Sequence, residues 1–317
     1  NSGTVSINAK SGQKVEFGGT ITGSNGEINI NKTGLTYTTL KTDLTDQSNT
    51  ITQTGGEYVF KDTVSGQTIN TYGNADVTFK NLSSDKLTLA GTSEVDITGT
   101  VTSTSLTMSD NSTLTLENKN NITLNSFKNT GTSYINIQNG VLDTTTGIQT
   151  LNLGTTNLDG ILKLAIDVNM GTKTADVISA SSLATSTGSI VLDSIQVLAD
   201  ATSMSCDVKV VDNILKNANV SLGTSVISKA GSSESYMITY VVKDDGGYLH
   251  TEYSSLATAI QSTINNKLYV MANNESGDLG ILKGKTMGVD GDGHSITGSG
   301  ASQGITVSGG QTLEISD

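Results

Sequence analysis

Short segments in which apolar and polar residues alternate fill the first 160 residues of the chain. In "TVSINA", Val5 and Ile7 share one face of the predicted strand, and in "KVEFGG", Val15 and Phe17 do the same. Such segments recur about every 8–11 residues, with Gly, Asn, Asp and Ser between them. Alternation with a period of two indicates half-buried β-strands, and the intervening residues favour turns. The pattern therefore predicts a long series of short β-strands.

Two all-β architectures fit strands at this spacing: an antiparallel sandwich and a coiled array of parallel strands. The hairpin dipeptide Asn-Gly occurs only at 25–26 and 139–140, which disfavours a series of tight hairpins. Several segments also resemble one another, as do "TITGS" (20–24), "DITGT" (96–100) and "SITGS" (295–299). Such self-similarity is typical of a solenoid. We therefore predict a parallel β-helix, with roughly eight turns before residue 160 if each turn takes about 20 residues.

The pattern changes after residue 160. Longer and more continuously apolar segments follow, such as "ILKLAIDV" and "SYMITYVV", with longer connections between them. We interpret residues 1–160 as parallel coils and residues 161–250 as a β-rich closing or insert unit with antiparallel or mixed strands. Residues 251–317 begin with a helix and return to short strands, and we interpret them as the first coils of a following β-helix.

One segment has the periodicity of an amphipathic helix. Its apolar stripe consists of Leu256, Ala259, Ile260 and Ile264. Ser254 precedes the stripe and is the predicted N-cap, because a serine oxygen accepts a hydrogen bond from the first unpaired N–H groups of a helix. The sequence thus predicts a capping helix at about 254–266.

The composition favours a thin, repeated core. Hydrophobic residues make up 34% of the 317 residues, and Trp and Pro are absent. Proline is excluded from long runs of paired strands because it cannot donate to the ladder. A core that is repeated along an array fits this low hydrophobic content better than one bulky centre.

The charge balance excludes several classes of partner. All 18 basic residues are lysine, and the net charge is −12. Without arginine, the chain lacks the planar fork that binds phosphate and carboxylate groups through two hydrogen bonds. The negative charge argues against nucleic acid as a partner. No stretch approaches 18 consecutive apolar residues, so we expect no membrane insertion.

Two further features are the single cysteine and the start of the chain at Asn1. The single cysteine, Cys206, cannot form an internal disulfide, and we expect it to be a small buried hydrophobic residue. A low cysteine content is compatible with export. The sequence begins at Asn1 without a signal-peptide pattern, so we expect a mature fragment or an excised piece.

Two stretches resemble known families. The first contains "SSLATAIQSTINNKLYVMAN", then "GVDGDGHSITG" and "GQTLEIS". It resembles the opening of a pectate-lyase-like right-handed β-helix, in which an "sLxxAI" helix lies across the first coil. The second, "LKLAIDVNMGTKTADVISA" through "GGYL", resembles bacterial autotransporter passengers and giant repetitive surface adhesins. Both resemblances imply a right-handed parallel β-helix, and the second implies a secreted or surface-displayed protein.

The two ends of the chain resemble each other. "GQKVEF" (12–17) and "GQTLEI" (310–315) share Gly, Gln, Glu and the apolar positions. The alternation continues to Asp317, and an exposed strand edge invites pairing. We hypothesise that another copy continues the ladder head to tail, and the alternative is an arbitrary cut in a longer chain. The predicted self-association residues are Val5, Ile7, Val15, Phe17, Ile305, Val307, Leu313 and Ile315.

The most suggestive motif for chemistry is "VDGDGHS" (289–295). Alternation would place Asp290, Asp292 and His294 on one face of a strand, which suggests a divalent cation site. The segment lacks the twelve-residue loop and final Glu of an EF-hand, and we favour the alternative of a tight turn between coils. We therefore predict no metal site.

The sequence also predicts no enzyme. The resemblance to pectin-cleaving enzymes implies carboxylates with calcium and, in the lyases, a basic residue that is commonly arginine, which this chain lacks. His250 and His294 have neither zinc-site spacing nor a serine-hydrolase context. We predict no catalytic residues and no cofactor.

The predicted function is a non-enzymatic extracellular structural or adhesive module of a bacterial surface or filament protein. Its predicted partners are other copies of itself, with host or environmental glycans or proteins as further candidates. Outward rows of Thr, Ser and Asn offer many hydrogen-bonding groups. The alternative is therefore a glycan-binding or carbohydrate-active β-helix protein.

Overall fold

The computed structural model shows an all-β protein, as predicted. It describes residues 4–9, 17–18, 27–32, 39–41, 50–117, 121–140, 149–199, 205–223, 227–228, 234–276, 279–282, 286–298, 305, 307 and 311–316. Within these residues there are 27 strands and one helix.

The strands are short, with the exception of one long strand near the start. Up to residue 160 they are β1 (Thr4–Ala9), β2 (Phe17–Gly18), β3 (Glu27–Lys32), β4 (Thr39–Lys41), β5 (Thr50–Leu89), β6 (Glu94–Ile97), β7 (Val101–Asp110), β8 (Thr113–Leu116), β9 (Ile122–Thr123), β10 (Ser126–Asn136), β11 (Thr150–Asn152) and β12 (Thr155–Leu158). The next are β13 (Ile161–Asn169), β14 (Thr174–Ala175), β15 (Val177–Ser179), β16 (Ser182–Ser186), β17 (Ser189–Ala199), β18 (Ser205–Asp212), β19 (Asn219–Leu222), β20 (Ile227–Ser228), β21 (Tyr236–Lys243) and β22 (Gly246–Tyr253). The helix α1 (Leu256–Gln261) precedes β23 (Lys267–Val270), β24 (Glu275–Ser276), β25 (Thr286–Asp290), β26 (Ile296–Thr297) and β27 (Thr312–Ser316).

Residue contacts divide the chain into two compact units. Unit 1 comprises Asn1–Asn139, Gln149–Lys163 and Ile178–Ser189. Unit 2 comprises Gly140–Ile148, Leu164–Val177 and Ile190–Asp317. The predicted boundaries after residues 160 and 250 stay predictions.

The strands of unit 1 pair in parallel, each with a strand one step further along the chain. Thr4 pairs with Glu27 and Glu27 with Thr50, a step of 23 residues. Later steps, measured as the sequence separation between hydrogen-bonded residues of neighbouring layers, are 19, 21, 29 and 27 residues long. The long strand β5 pairs with β3 and β4 through its first half and with β6 and β7 through its second. The steps bracket the roughly 20 residues expected for one turn of an array.

Apolar side chains lie directly above one another in this ladder. Val77 pairs with Val95, Val95 with Leu114, and Leu114 with Ile135, and all four are buried. The strands β6 and β8 alternate between buried and more exposed residues, as the sequence pattern predicts. Each layer therefore adds one set of apolar side chains to the core.

A column of close backbone contacts runs through the layers of unit 1. Six residues lie next to one another in successive layers, and we call them the turn column: Gly73, Gly91, Asp110, Gly131, Gly160 and Gly188. The first four have a positive φ. Gly91 has a φ of +77°, and a Cβ atom there would lie 2.6 Å from the Gly73 carbonyl oxygen. Glycine is required at Gly91 by both its backbone conformation and this close approach. Asp110, with a φ of +60°, accepts a hydrogen bond from the Gly91 N–H through its own carboxylate (3.0 Å).

Unit 2 combines antiparallel and parallel pairing. The strands β18, β22, β21 and β23 form an antiparallel sheet in that order. Beyond β23 the pairing becomes parallel, first with β25 and then with β27. Cys206 on β18 is buried, as predicted. This sheet continues into short parallel strands after α1, at the position where the sequence predicts a return to coils.

The helix is shorter than predicted. Its N-cap is Ser255, whose Oγ accepts a hydrogen bond from the Thr258 N–H, so the predicted start at Ser254 is wrong by one residue. It ends at Gln261 because Ser262 has left the helical conformation, with a ψ of 136°. The predicted end at residue 266 is therefore wrong, and Ile264 is exposed instead of lying on the buried stripe.

The buried face of α1 belongs to one hydrophobic cluster, which we call the C-terminal core. Its members are Met237, Leu256, Ala259, Ile260, Tyr269, Met271, Leu279, Leu282, Met287 and Val289. Leu256, Ala259 and Ile260 thus face the core as predicted. The buried face of α1 therefore anchors the chain between β22 and β23 to the C-terminal core.

Candidate functional site

The N-terminal group of predicted self-association residues lies on two strands of unit 1. Val5 and Ile7 lie in β1, which pairs in parallel with β3. Phe17 begins β2, which pairs in parallel with β4. Val15 lies outside the described residues.

The C-terminal group lies at the end of the sheet in unit 2. Ile305 and Leu313 are partly buried and pack against the C-terminal core. Val307 is 44% exposed and Ile315 is 63% exposed. The group therefore runs from the core to the surface.

Strand β27 is the last strand of this sheet within the described residues. Its Leu313 lies opposite Met287 of β25, and its Ile315 lies opposite Val289. Met287 and Val289 are fully buried, whereas their partners on β27 are not. The apolar row thus continues onto β27, where no further described strand covers it. An edge of this kind offers unpaired backbone groups and an apolar row to one more strand.

A network of charged side chains lies on the outer face of the antiparallel sheet. Asp207 on β18 forms an ion pair with Lys243 on β21 (2.7 Å between oxygen and Nζ). The other oxygen of Asp207 lies 2.8 Å from Nδ1 of His250 on β22. Lys243 also lies 4.8 Å from the centroid of the Tyr248 ring, and Tyr248 donates a hydrogen bond to Asp245 (2.7 Å). These contacts join three neighbouring strands.

The network changes the acidity of its members. Partial burial acts to raise the pKa of Asp207, but the hydrogen bonds and charges of Lys243 and His250 outweigh it and hold that pKa below its usual value. The hydrogen bond to Asp245 is the main reason why the pKa of Tyr248 rises to about 12. Because Asp207 is already shared by two basic groups, the network is suited to holding the sheet together.

The motif at 289–295 forms a turn. Asp290 ends β25 and is buried, whereas Asp292 is exposed and has a φ of +45°. The His294 N–H donates to the Gly291 carbonyl oxygen (2.8 Å). The strand ends before the alternation can continue, so the three side chains do not share one strand face. Among the described residues, no group of three or more His, Cys, Asp or Glu side chains is arranged to hold a metal ion.

The outward polar rows of unit 1 bond to one another. The Ser126 hydroxyl donates to the Ser105 hydroxyl in the layer below (2.9 Å). The single Thr185 hydroxyl hydrogen is shared between Oδ1 of Asn157 (3.2 Å) and Oδ1 of Asp159 (3.1 Å) in the layer below. These side chains use part of their hydrogen-bonding capacity between layers, so fewer groups remain for a ligand.

Sequence reasoning did not find the pair formed by Asp207 and His250. The two residues are 43 positions apart, and only the register between β18 and β22 brings them together. No local motif contains both residues. The alternating pattern of each strand does indicate that both point outward, and this is the only signal that the sequence carries.

Comparison of the chain with protein-family models, with curated proteins and with solved structures finds no match. The resemblance to pectate-lyase-like and autotransporter proteins therefore stays a prediction. Within the described part of the chain, no helix has the length and hydrophobicity needed to cross a bilayer.

Proposed function

We propose that this chain is a structural or adhesive module of a bacterial surface or filament protein, secreted or displayed outside the cell. In this proposal the stacked strands form a right-handed parallel β-helix. Two features of unit 1 support the array: parallel pairing at steps of 19–29 residues, and the turn column that joins successive layers. A protein of this type acts through its length and its faces, because each layer contacts only its neighbours.

The observation that carries the proposal is the uncovered apolar row of β27. Its residue Ile315 is 63% exposed although its partner Val289 is fully buried. In the proposed assembly, a strand from a second copy pairs with β27 and covers this row. Such a contact joins two different surfaces, so it extends into a filament unless rotation closes it into a ring.

A non-enzymatic role fits the chemistry of the charged network. Asp207 holds Lys243 and His250 at hydrogen-bonding distance across three strands. A carboxylate with two such partners stabilises the sheet, and in this proposal it does not act on a substrate.

Electron microscopy of the purified chain without ligand tests the assembly. We expect rods or filaments whose repeat equals one copy. The variant Ile315→Lys places a charge in the proposed contact and should shorten or abolish them. The matched control is Ile281→Lys, because Ile281 also lies in unit 2 and is 55% exposed.

Single particles of one copy at all protein concentrations would contradict the head-to-tail assembly. Filaments that form equally well in Ile315→Lys would show that a different surface joins the copies. Circular dichroism of both variants establishes that each retains its β-structure.

A further inference from the structure

An open groove in unit 2 lies between the end of β22 and α1. Its volume is about 610 Å³. The end of β22 contributes Glu252 and Tyr253, and the outer face of α1 contributes Ala257, Thr258 and Gln261. Small-molecule sites commonly have volumes of roughly 300–1,000 Å³, so this groove is large enough for a short oligosaccharide.

The C-terminal core anchors one wall of the groove, and an aromatic contact supports the other. The helix is anchored through Leu256, Ala259 and Ile260, which are fully buried in the C-terminal core. The ring of Tyr253 meets the ring of Tyr236 edge to face, with 6.4 Å between the centroids. A site whose walls are already ordered loses less conformational entropy when a ligand binds.

Two polar side chains of the groove keep their hydrogen-bonding capacity. Glu252 and Gln261 are both exposed, and neither side chain makes an ion pair or a hydrogen bond with another described residue. The hydroxyls of Ser255 and Thr258 differ, because they lie 2.9 Å from each other and Ser255 also caps the helix. A carboxylate and an amide are therefore left to bind a ligand.

These groups match the chemistry of a sugar. A carboxylate accepts hydrogen bonds from hydroxyls, and a side-chain amide both donates and accepts. The partly exposed ring of Tyr253 offers an apolar surface with a polar end, which suits a ligand that has both C–H and O–H groups. By contrast, the Ser and Thr rows of unit 1 already bond between layers.

The charge of the groove narrows the class of sugar. Glu252 is negative, and the chain has no arginine to bind a ligand carboxylate. An acidic sugar placed beside Glu252 meets a like charge, which disfavours it. We propose that this groove binds a short oligosaccharide of neutral or amino sugars and excludes uronic acids.

This inference goes beyond the structural role proposed above and does not depend on assembly at β27. The groove lies at α1 and β22, whereas the assembly contact lies at β27. Loss of one therefore leaves the other intact.

Saturation-transfer NMR with the whole chain tests the inference. The probes are glucose, galactose, N-acetylglucosamine and glucosamine, their disaccharides, and galacturonic acid. We expect transfer to at least one neutral or amino sugar and none to galacturonic acid. The variant Glu252→Gln should weaken that binding about 10- to 100-fold, because a hydrogen bond to a charged group contributes on that scale.

Matched variants separate the groove from the rest of the surface. Gln261→Trp places a bulky ring across the groove from an exposed position and should abolish binding. Glu117→Gln changes an exposed glutamate in unit 1 and should leave binding unchanged. Circular dichroism reports whether each variant folds. If Glu252→Gln does not fold, Gln261→Trp still tests the groove.

Three results would overturn the inference. The first is the absence of transfer to every neutral and amino sugar at millimolar concentration. The second is unchanged binding in Gln261→Trp. The third is binding of galacturonic acid as strong as that of the best neutral sugar.

Discussion

Ile315 on β27 lies opposite Val289 on β25, and the two side chains differ in burial: Val289 is fully buried, whereas 63% of Ile315 is exposed. We therefore expect Val289→Ala to lower the free energy of unfolding by about 2 kcal/mol, through lost apolar burial and a new cavity. Ile315→Ala should change it by less than about 0.5 kcal/mol when the protein is dilute. Urea unfolding of both variants measures the difference.

Equal losses in the two variants would contradict this prediction. They would mean that the side chain of Ile315 is covered even in a single copy. A loss in Ile315→Ala that grows with protein concentration would instead support assembly through β27, because a partner that binds the folded state stabilises it.

The turn column predicts a strong effect of a single methyl group. In Gly91→Ala, the new Cβ lies 2.6 Å from the Gly73 carbonyl oxygen, so the layers must move apart. Gly293 is a matched control, because its φ of +75° is close to the +77° of Gly91 but a Cβ atom there would have no described neighbour within 4 Å. We expect Gly91→Ala to destabilise the protein by about 1–3 kcal/mol more than Gly293→Ala. Thermal unfolding of both variants checks the difference, and similar melting temperatures would refute it.

We expect the folded protein to lose stability in alkali because of Tyr269. Its ring is fully buried, and burial together with Glu275 raises its pKa to about 12. An unfolded tyrosine titrates near pH 10, so the stabilising contribution is present below about pH 10 and is lost as the pH rises towards 12. We expect Tyr269→Phe to show a shallower loss of stability over this range. At neutral pH the variant should lose about 1 kcal/mol with the hydrogen bond to the Ser254 carbonyl oxygen.

Denaturant unfolding at several pH values between about 8 and 12 measures the alkaline effect. Tyr72→Phe serves as the control, because Tyr72 lies on β5 of unit 1 outside the C-terminal core. An unchanged pH dependence in Tyr269→Phe would show that this hydroxyl is not the group responsible.

We expect the folded protein to lose stability in acid because of Asp207. Its folded-state pKa is lowered, so its stabilising contribution is present above about pH 4 and is lost as the pH falls through the folded value. Asp207→Asn should lower the melting temperature at about pH 6 and reduce the further fall between about pH 6 and pH 2. The matched control is Asp292→Asn, which changes an exposed aspartate outside the network. A variant with the acid sensitivity of the unmodified protein would contradict the assignment.

Local alternation was enough to predict many strands. "EVDITG" and "STLTLEN" became β6 and β8, because a period of two leaves one face of each strand apolar wherever it is placed. The helix end was harder to predict. Ile264 has the right spacing for the buried stripe, but the chain leaves the helix at Ser262. There Lys267 donates hydrogen bonds to the carbonyl oxygens of Ser262 and Ile264. The spacing of apolar residues in the sequence gives no sign of this contact.

The groove and the charged network could not be predicted for a related reason. Glu252 and Gln261 read as ordinary surface residues in the sequence, and their shared groove depends on how α1 packs. Asp207 and His250 meet through strand register alone. The segment around Asp290 also shows the limit of alternation, because the strand ends where the chain turns at Asp292.

The turn column has a consequence for how such chains diverge. Successive steps along it differ in length, from 18 residues between Gly73 and Gly91 to 29 between Gly131 and Gly160, yet its members stay in contact from layer to layer. The residue two positions after the turn is buried each time, as at Ser93, Ser112, Ser133 and Leu162. Insertions can therefore accumulate on one side of a layer without disturbing the alignment of its neighbours. A search for relatives should therefore align chains on the turn-column residue and on the buried residue two positions after it. A method that assumes a constant period misaligns the layers.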